Sequence, residues 1–230
     1  MPDPNNTSLI SFKNWTLRIR ASTDPSPRLM LLIHGFTGDE NSMWVFARDL
    51  PSHYWIVAPR AIYVGEQGGY SWRPPQFANM NQLSLDQLRD SADALIRLVD
   101  EYSVSVGLDA SIFDVMGFSQ GGAMSNLLAF LYPQRIRKIG ILAGFVPSGL
   151  EELVSQRPLA GKPFFVTHGT KDEKVSIDSA RASIEILETA GAKVTYCEDE
   201  VGHKVSVNCL RSLKKFFADT RSTPRSGSVD

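Results

Sequence analysis

Apolar positions in this 230-residue chain follow two alternating patterns. From Asn14 to Arg20, Trp15, Leu17 and Ile19 alternate with Thr16, Arg18 and Arg20, which predicts a half-buried, antiparallel edge strand. Asp24 to Pro27 is a turn, and Leu29 to Ile33 is then apolar without a break, as in a strand covered on both faces. Ser42 to Leu50 reads as a short helix, and Tyr54 to Ala58 as a second buried strand stopped by Pro59. Ser84 and Gln87 have capping-box spacing, and Leu85, Leu88, Ala92, Leu95, Ile96 and Val99 follow at helical period to about Tyr102. Downstream, Ile112–Met116, Ile136–Leu142, Lys162–Thr167 and Lys193–Cys197 read as buried strands. They alternate with helices over Ala123–Leu131, over Ser176–Thr189 with Gly191 as its stop, and along Val207, Leu210, Leu213, Phe216 and Phe217.

Strand and helix alternating with buried strands predict an α/β fold, a mostly parallel central sheet wrapped by helices on both faces. Neither an internal repeat nor a composition break divides the chain. We expect a flexible N-terminus over 1–10, one domain over 11–219 and a disordered Ser/Thr/Pro/Gly-rich tail over 220–230. In such sheets the chemistry sits at the carboxyl ends of the strands.

Composition mainly excludes. Lys plus Arg is 24 and Asp plus Glu is 25, scattered without a basic stripe, so no nucleic-acid partner is expected. No apolar run approaches bilayer length, and the polar start has no secretory pattern, so we expect no membrane insertion and a cytoplasmic setting. Cys197 and Cys209 fall in a predicted strand and a predicted helix. A bridge is open to them, but two free thiols is the favoured expectation.

Candidate chemistry centres on Phe113 to Ala123. Gly117-Phe-Ser119-Gln-Gly121 matches G-x-S-x-G, a serine at a sharp strand-to-helix corner whose neighbours two positions away must be small. The corner aims the first helix amides at whatever Ser119 attacks. A serine hydroxyl needs a base, and the base needs an anchor. His53 stands at a strand's start, the wrong end of the sheet. His34 and His168 stand at strand ends before glycines and read as histidines bonded to backbone. His203, in a loop after the last strand, fits the order Ser…acid…His. Asp172 fits the acid, with Glu173 as main competitor and Glu198 and Asp199 less well placed. For the oxyanion, the Gln120 amide is one donor and Phe36, in the loop His34–Gly38, the other, with Thr37 as runner-up.

These blocks, Leu-Ile-His34-Gly35-Phe36, Ala58-Pro-Arg60, Gly117-Phe-Ser119-Gln-Gly121-Gly, His168-Gly-Thr-Lys-Asp172 and Gly202-His203, resemble the α/β-hydrolase superfamily. Within it they are similar to the phospholipase/carboxylesterase branch that includes acyl-protein thioesterases, over roughly residues 28–217. The resemblance implies an α/β-hydrolase fold without a large cap domain. It also implies a hydrolase with no cofactor and no metal, forming an acyl-enzyme on Ser119 with His203 as base then acid and Asp172 orienting it.

The substrate side is read from residues 60–83, a Gly/Pro-rich loop with interleaved aromatics, a kind usually functional. Tyr70 and Trp72 from this loop, faced by Phe145 and Val146 and closed by Val175, would line an apolar pocket for small to medium acyl esters or thioesters. Arg60 and Arg73 would instead suit anionic lactones or dicarboxylate monoesters. A third reading is a non-catalytic binding module, which would normally lack a triad member. The sequence leaves the oligomeric state open, a homodimer included.

Overall fold

The computed structural model describes residues 7–48, 50–65, 68–77 and 83–218. Residues 1–6 and the tail expected over 220–230 lie outside the described residues, as do parts of the 60–83 loop. The chain folds around an eight-stranded sheet. In chain order it contains β1 (Ser8–Phe12), β2 (Trp15–Arg20), β3 (Arg28–Ile33), α1 (Trp44–Ala47), β4 (Tyr54–Pro59), β5 (Tyr63–Val64), β6 (Tyr70–Ser71), α2 (Leu85–Val106), β7 (Phe113–Phe118) and α3 (Gln120–Leu131). It continues with β8 (Ile136–Leu142), α4 (Glu151–Ser155), β9 (Pro163–Gly169), α5 (Ile177–Thr189), β10 (Lys193–Asp199) and α6 (Val207–Ala218).

The sheet order is β1-β2-β4-β3-β7-β8-β9-β10, and β5 pairs with β6 as a small separate hairpin. The six strands from β4 to β10 in that order run parallel, and β2 and β1 are antiparallel at one edge. Two expectations change here. Ser8–Phe12, assigned in part to a flexible N-terminus, is an edge strand. Its side chains are mostly exposed, so it carries little of the apolar signal that marks a covered strand. Consequently Trp15–Arg20 lies one strand in from the edge, between β1 and β4.

Period-two alternation on covered strands feeds two core layers. On β3, Leu29, Leu31 and Ile33 join α2, α3 and α5 through Leu95, Leu127 and Leu187. Met30 and Leu32 join the opposite layer, with Ala47 of α1 and Leu213 and Phe217 of α6. α3 is buried from Gln120 through Phe130, so it has no solvent face and carries the serine corner into the middle of the domain. The Ser84 side chain does not cap α2, contrary to the capping-box spacing; Ser84 bridges to Ser148 and the Leu85 amide donates to the Ser148 carbonyl. α4 follows the β8 loop, where no helix is predicted.

The free-thiol expectation is also corrected. Cys197 and Cys209 form a disulfide, with Cα atoms 5.6 Å apart. β10 runs on to Asp199, the chain reverses, and α6 brings Cys209 back alongside the strand in its first turn. Twelve residues of sequence separation conceal that adjacency.

Candidate active site

The serine corner has the geometry its sterics require. Ser119 has φ 54° and ψ −116°, a strained conformation between the end of β7 and the start of α3. A Cβ on Gly121 would collide with the Ile33 carbonyl oxygen, and one on Gly117 with the Gly121 carbonyl, so the glycines let β3, β7 and α3 close to contact. The corner is pinned by the Ser119 amide donating to the Leu142 carbonyl (2.8 Å) and the Ala123 amide donating to the Ser119 carbonyl (3.1 Å).

His203 reaches the corner from the loop between β10 and α6. Its Nε2 lies 3.0 Å from Ser119 Oγ and its Nδ1 lies 2.7 Å from Asp172 Oδ2. A carboxylate only accepts, so Nδ1 carries the proton toward Asp172 and the neutral ring turns a lone pair on Nε2 toward the serine hydroxyl. Asp172 is held in turn: Oδ1 accepts from the Lys174 amide (2.9 Å) and the Val175 amide (3.0 Å). Burial pushes its carboxyl up, but these amide bonds and His203 outweigh burial and leave it below its ordinary value. The rival acids are elsewhere: Glu173 is exposed, Glu198 pairs with Arg181 and Tyr196, and Asp199 accepts from Asn208.

Of the remaining histidines, His34 and His168 are bonded to backbone, and His53, just before β4, packs on the Tyr54 ring (4.4 Å). His168 Nε2 donates to the Val175 carbonyl (2.8 Å) and lies 3.4 Å from Asp172 Oδ2. His34 is buried; its Nδ1 donates to the Gly35 carbonyl while its Nε2 accepts from the Ala61 amide (3.0 Å), and burial lowers its basicity. This bracing shapes the His34–Gly38 loop beside the serine. There the Thr37 amide is spent on the Tyr70 carbonyl (3.0 Å), whereas the Phe36 amide has no partner among the described residues. α3 begins at Gln120, so that amide precedes the helical ladder.

An open groove of about 700 Å³ runs past Ser119 and His203. Phe36, Met43, Val45, Phe46 and Phe118 supply its apolar surface, and Lys174 its permanent charge. The five residues expected to bind substrate, Tyr70, Trp72, Arg73, Phe145 and Val175, do not line this groove. Tyr70 bonds the Thr37 loop from behind, and Arg60 stacks 4.6 Å over its ring. Trp72 is fully buried as a bracket: its amide donates to Gln120 Oε1, its Nε1 to the His34 carbonyl, and its own carbonyl accepts from Ser91. Phe145 packs on the core, and Val175 turns its amide to Asp172. Arg73 is buried, and Arg60 is taken up by Glu40 in a two-pronged pair at 2.8 and 3.0 Å. The groove walls come instead from the loop after β3, from Met43 and α1, and from the end of β7. The four consecutive apolar residues of α1, Trp44–Ala47, were the available signal, because a single turn cannot bury all of them.

Among the described residues no cluster of three or more His, Cys, Asp or Glu is placed to hold a metal, and no helix is long and apolar enough to cross a membrane. Fold and site define a class, α/β hydrolases with a serine at the carboxyl edge of the sheet. The phospholipase/carboxylesterase family model matches residues 14–221, and the chain belongs to that family, a class of ester hydrolases. Carboxylesterase SOBER1 of Arabidopsis thaliana is 26% identical over 125 residues, 53% of this chain and 54% of that protein, so the match spans about half of that relative's length. Acyl-protein thioesterase 1 of Debaryomyces hansenii is 25% identical over 223 residues, covering 88% of this chain and 95% of that protein. A solved carboxylesterase of Bacillus cereus superposes with TM-score 0.80 at 22% identity, covering 90% and 94% of the two chains, and shows the same fold.

Proposed function

We propose that the protein hydrolyses carboxylic esters or thioesters of small to medium acyl chains through an acyl-enzyme on Ser119. The observation that carries this reading is the unbroken hydrogen-bonded line Ser119 Oγ, His203 Nε2, His203 Nδ1, Asp172 Oδ2. His203 takes the Ser119 proton as Oγ attacks the acyl carbon. The developing oxyanion is held by the Gln120 and Phe36 amides. His203 then protonates the departing alcohol or thiol, and water repeats the sequence in reverse on the acyl-enzyme. Asp172 holds the imidazole's orientation and stabilises its charged form. The apolar groove walls support acyl burial.

The test is burst kinetics with p-nitrophenyl acyl esters of rising chain length, on the protein and on Ser119→Ala. A stoichiometric burst that vanishes in the variant supports the acyl-enzyme, and the chain-length optimum sizes the groove. Absence of turnover and burst at every length would overturn the reading.

A second reading, toward anionic esters, is favoured by Lys174. With Arg60 tied to Glu40 and Arg73 buried, Lys174 is the permanent charge facing the groove. Lys174→Glu should then lower the ratio of kcat/KM for a dicarboxylate monoester over its neutral diester roughly tenfold, a change of about 1.4 kcal/mol. An unchanged ratio would refute this preference and leave the esterase reading intact.

A further inference from the structure

We infer that the Cys197–Cys209 disulfide is a positioning link for His203, so that the thiol–disulfide state of this pair sets the turnover rate; this rests on His203 acting as the base.

The two cysteines bracket the histidine loop. Cys197 lies in β10 and Cys209 in the first turn of α6, twelve residues apart, with His203 midway between them. The two limbs of that loop are fastened differently. The first is laced to the Gly169–Asp172 segment: the Thr170 amide donates to the Asp199 carbonyl (2.9 Å) and the Lys171 amide to the Val201 carbonyl (3.0 Å). Gly169 packs so closely under this limb that a Cβ there would collide with the Val201 and Gly202 carbonyls. The second limb, Lys204 to Ser206, bonds to itself and to α6, through Lys204 to Gly202, Cys209 to Ser206 Oγ and Leu210 to Ser206. Besides the disulfide, this limb and the start of α6 are held by polar bonds from Ser206 and Asn208 to the Asp199 carboxylate, the latter at 3.3 Å, and by Val205 and Leu210, half-buried against the core layer. The fully buried anchors Leu213 and Phe217 lie one and two turns further along the helix.

His203 must keep both nitrogens in register, 2.7 Å from Asp172 and 3.0 Å from Ser119. Opening the link removes the one covalent tie and leaves the start of α6 and the limb that carries the ring to two surface bonds and half-buried side chains, a looser hold. The groove walls from residues 35–46 follow β3 and Phe118 ends β7, so their backbones lie outside the Cys197–Cys209 segment, and only the Phe118 ring packs on His203 (5.0 Å). Reduction should therefore lower kcat and leave KM nearly unchanged.

Reduction proceeds by exchange. A dithiol's thiolate attacks the sulfur of half-buried Cys197, and the S–S bond breaks with Cys209 leaving as thiolate. The reagent's second thiol then releases Cys197 and closes the reagent's own disulfide. Two electrons and two protons pass to the protein, and the reagent is oxidised. An oxidising compartment holds the pair closed and a reducing cytoplasm opens it.

The experiment uses the full chain, purified in air. Thiol titration of denatured protein should find no free thiol before dithiothreitol and two after it. At 25 °C, p-nitrophenyl butyrate turnover should fall roughly tenfold in kcat on reduction, less than the ~10²-fold of a fixed 1 Å misplacement because the loosened ring still visits the productive position. Reoxidation should restore it. A Cys197→Ser/Cys209→Ser variant should show the low kcat with or without reductant. A purely structural link would instead lower the melting temperature and leave kcat at 25 °C unaltered. Equal kcat in verified oxidised and reduced protein overturns the inference, as do two free thiols in the air-exposed protein. Absence of a burst in either state overturns the Ser119 reading, and this inference with it.

Discussion

Asp114 and Asp172 are buried carboxylates on one sheet, at opposite ends of their strands. Asp114 stands near the start of β7, fully buried, and every partner it has is fixed. It accepts from the Tyr54 hydroxyl (2.6 Å), from Arg137 through two nitrogens and from the Lys138 amide (3.1 Å). Burial first, and the Asp114 charge second, push the Tyr54 hydroxyl's pKa up, so it remains a donor. This carboxylate fastens β4, β7 and β8 together. Asp172 follows β9 at the carboxyl edge and spends one oxygen on two amides and the other on His203. The difference lies in the partner. Arg137 donates to Asp114 and to the Tyr54 hydroxyl (3.3 Å), which itself bonds Asp114, so these interactions close on themselves, whereas His203 has a second nitrogen 3.0 Å from Ser119. A buried carboxylate passes its effect on when its donor is bifunctional and faces a groove.

The contrast breaks most sharply at the serine. Ser119→Ala should lower kcat/KM by roughly 10⁴-fold or more, with residual turnover from the oxyanion donors, and leave the urea unfolding midpoint unmoved. Asp172→Asn should cost about 10²- to 10⁴-fold in kcat, because an amide facing Nδ1 donates and drives the imidazole proton onto Nε2, the face Ser119 needs free. Asp114→Asn should do the opposite. It strands Arg137 without its charge partner and should cost about 3 kcal/mol of unfolding free energy, while kcat stays within about twofold. A large kcat loss there at temperatures where the protein is folded would collapse the distinction between the two aspartates.

The legible parts were those governed by local sterics or by chain order. The continuous run Leu29–Ile33 and the glycines around Ser119 announce a covered strand and a tight corner, because the residues that cause the geometry lie within it. His203 and Asp172 were readable from topology, since parallel strands deliver their loops to one edge. What the sequence hid depends on facing. Trp72 lies in an aromatic loop, yet three hydrogen bonds turn it inward behind the His34–Gly38 loop. Arg60 looks like a free cation until the fold brings Glu40 from twenty residues upstream. Phe46 and Val45 look like core until a helix of one turn leaves them facing the groove. The disulfide needs the reversal after β10 that no local pattern encodes.

The smallest effect tests Asp172 through stability. Its pKa in the folded protein lies below the ordinary value of 3.8, the amide bonds and His203 overcoming burial. A depressed carboxylate stabilises the fold above its unfolded pKa, and that contribution is lost as pH falls through the folded value. The wild type's margin over Asp172→Asn should therefore be constant above about pH 5 and shrink steadily below about pH 4, vanishing once both side chains are neutral. Urea unfolding of the two proteins across that range measures it. A margin that grows on acidification would mean that burial, not the amide pair and His203, dominates at Asp172. Asp172 would then be a strained acid rather than the fixed anion on which the orientation of His203 depends.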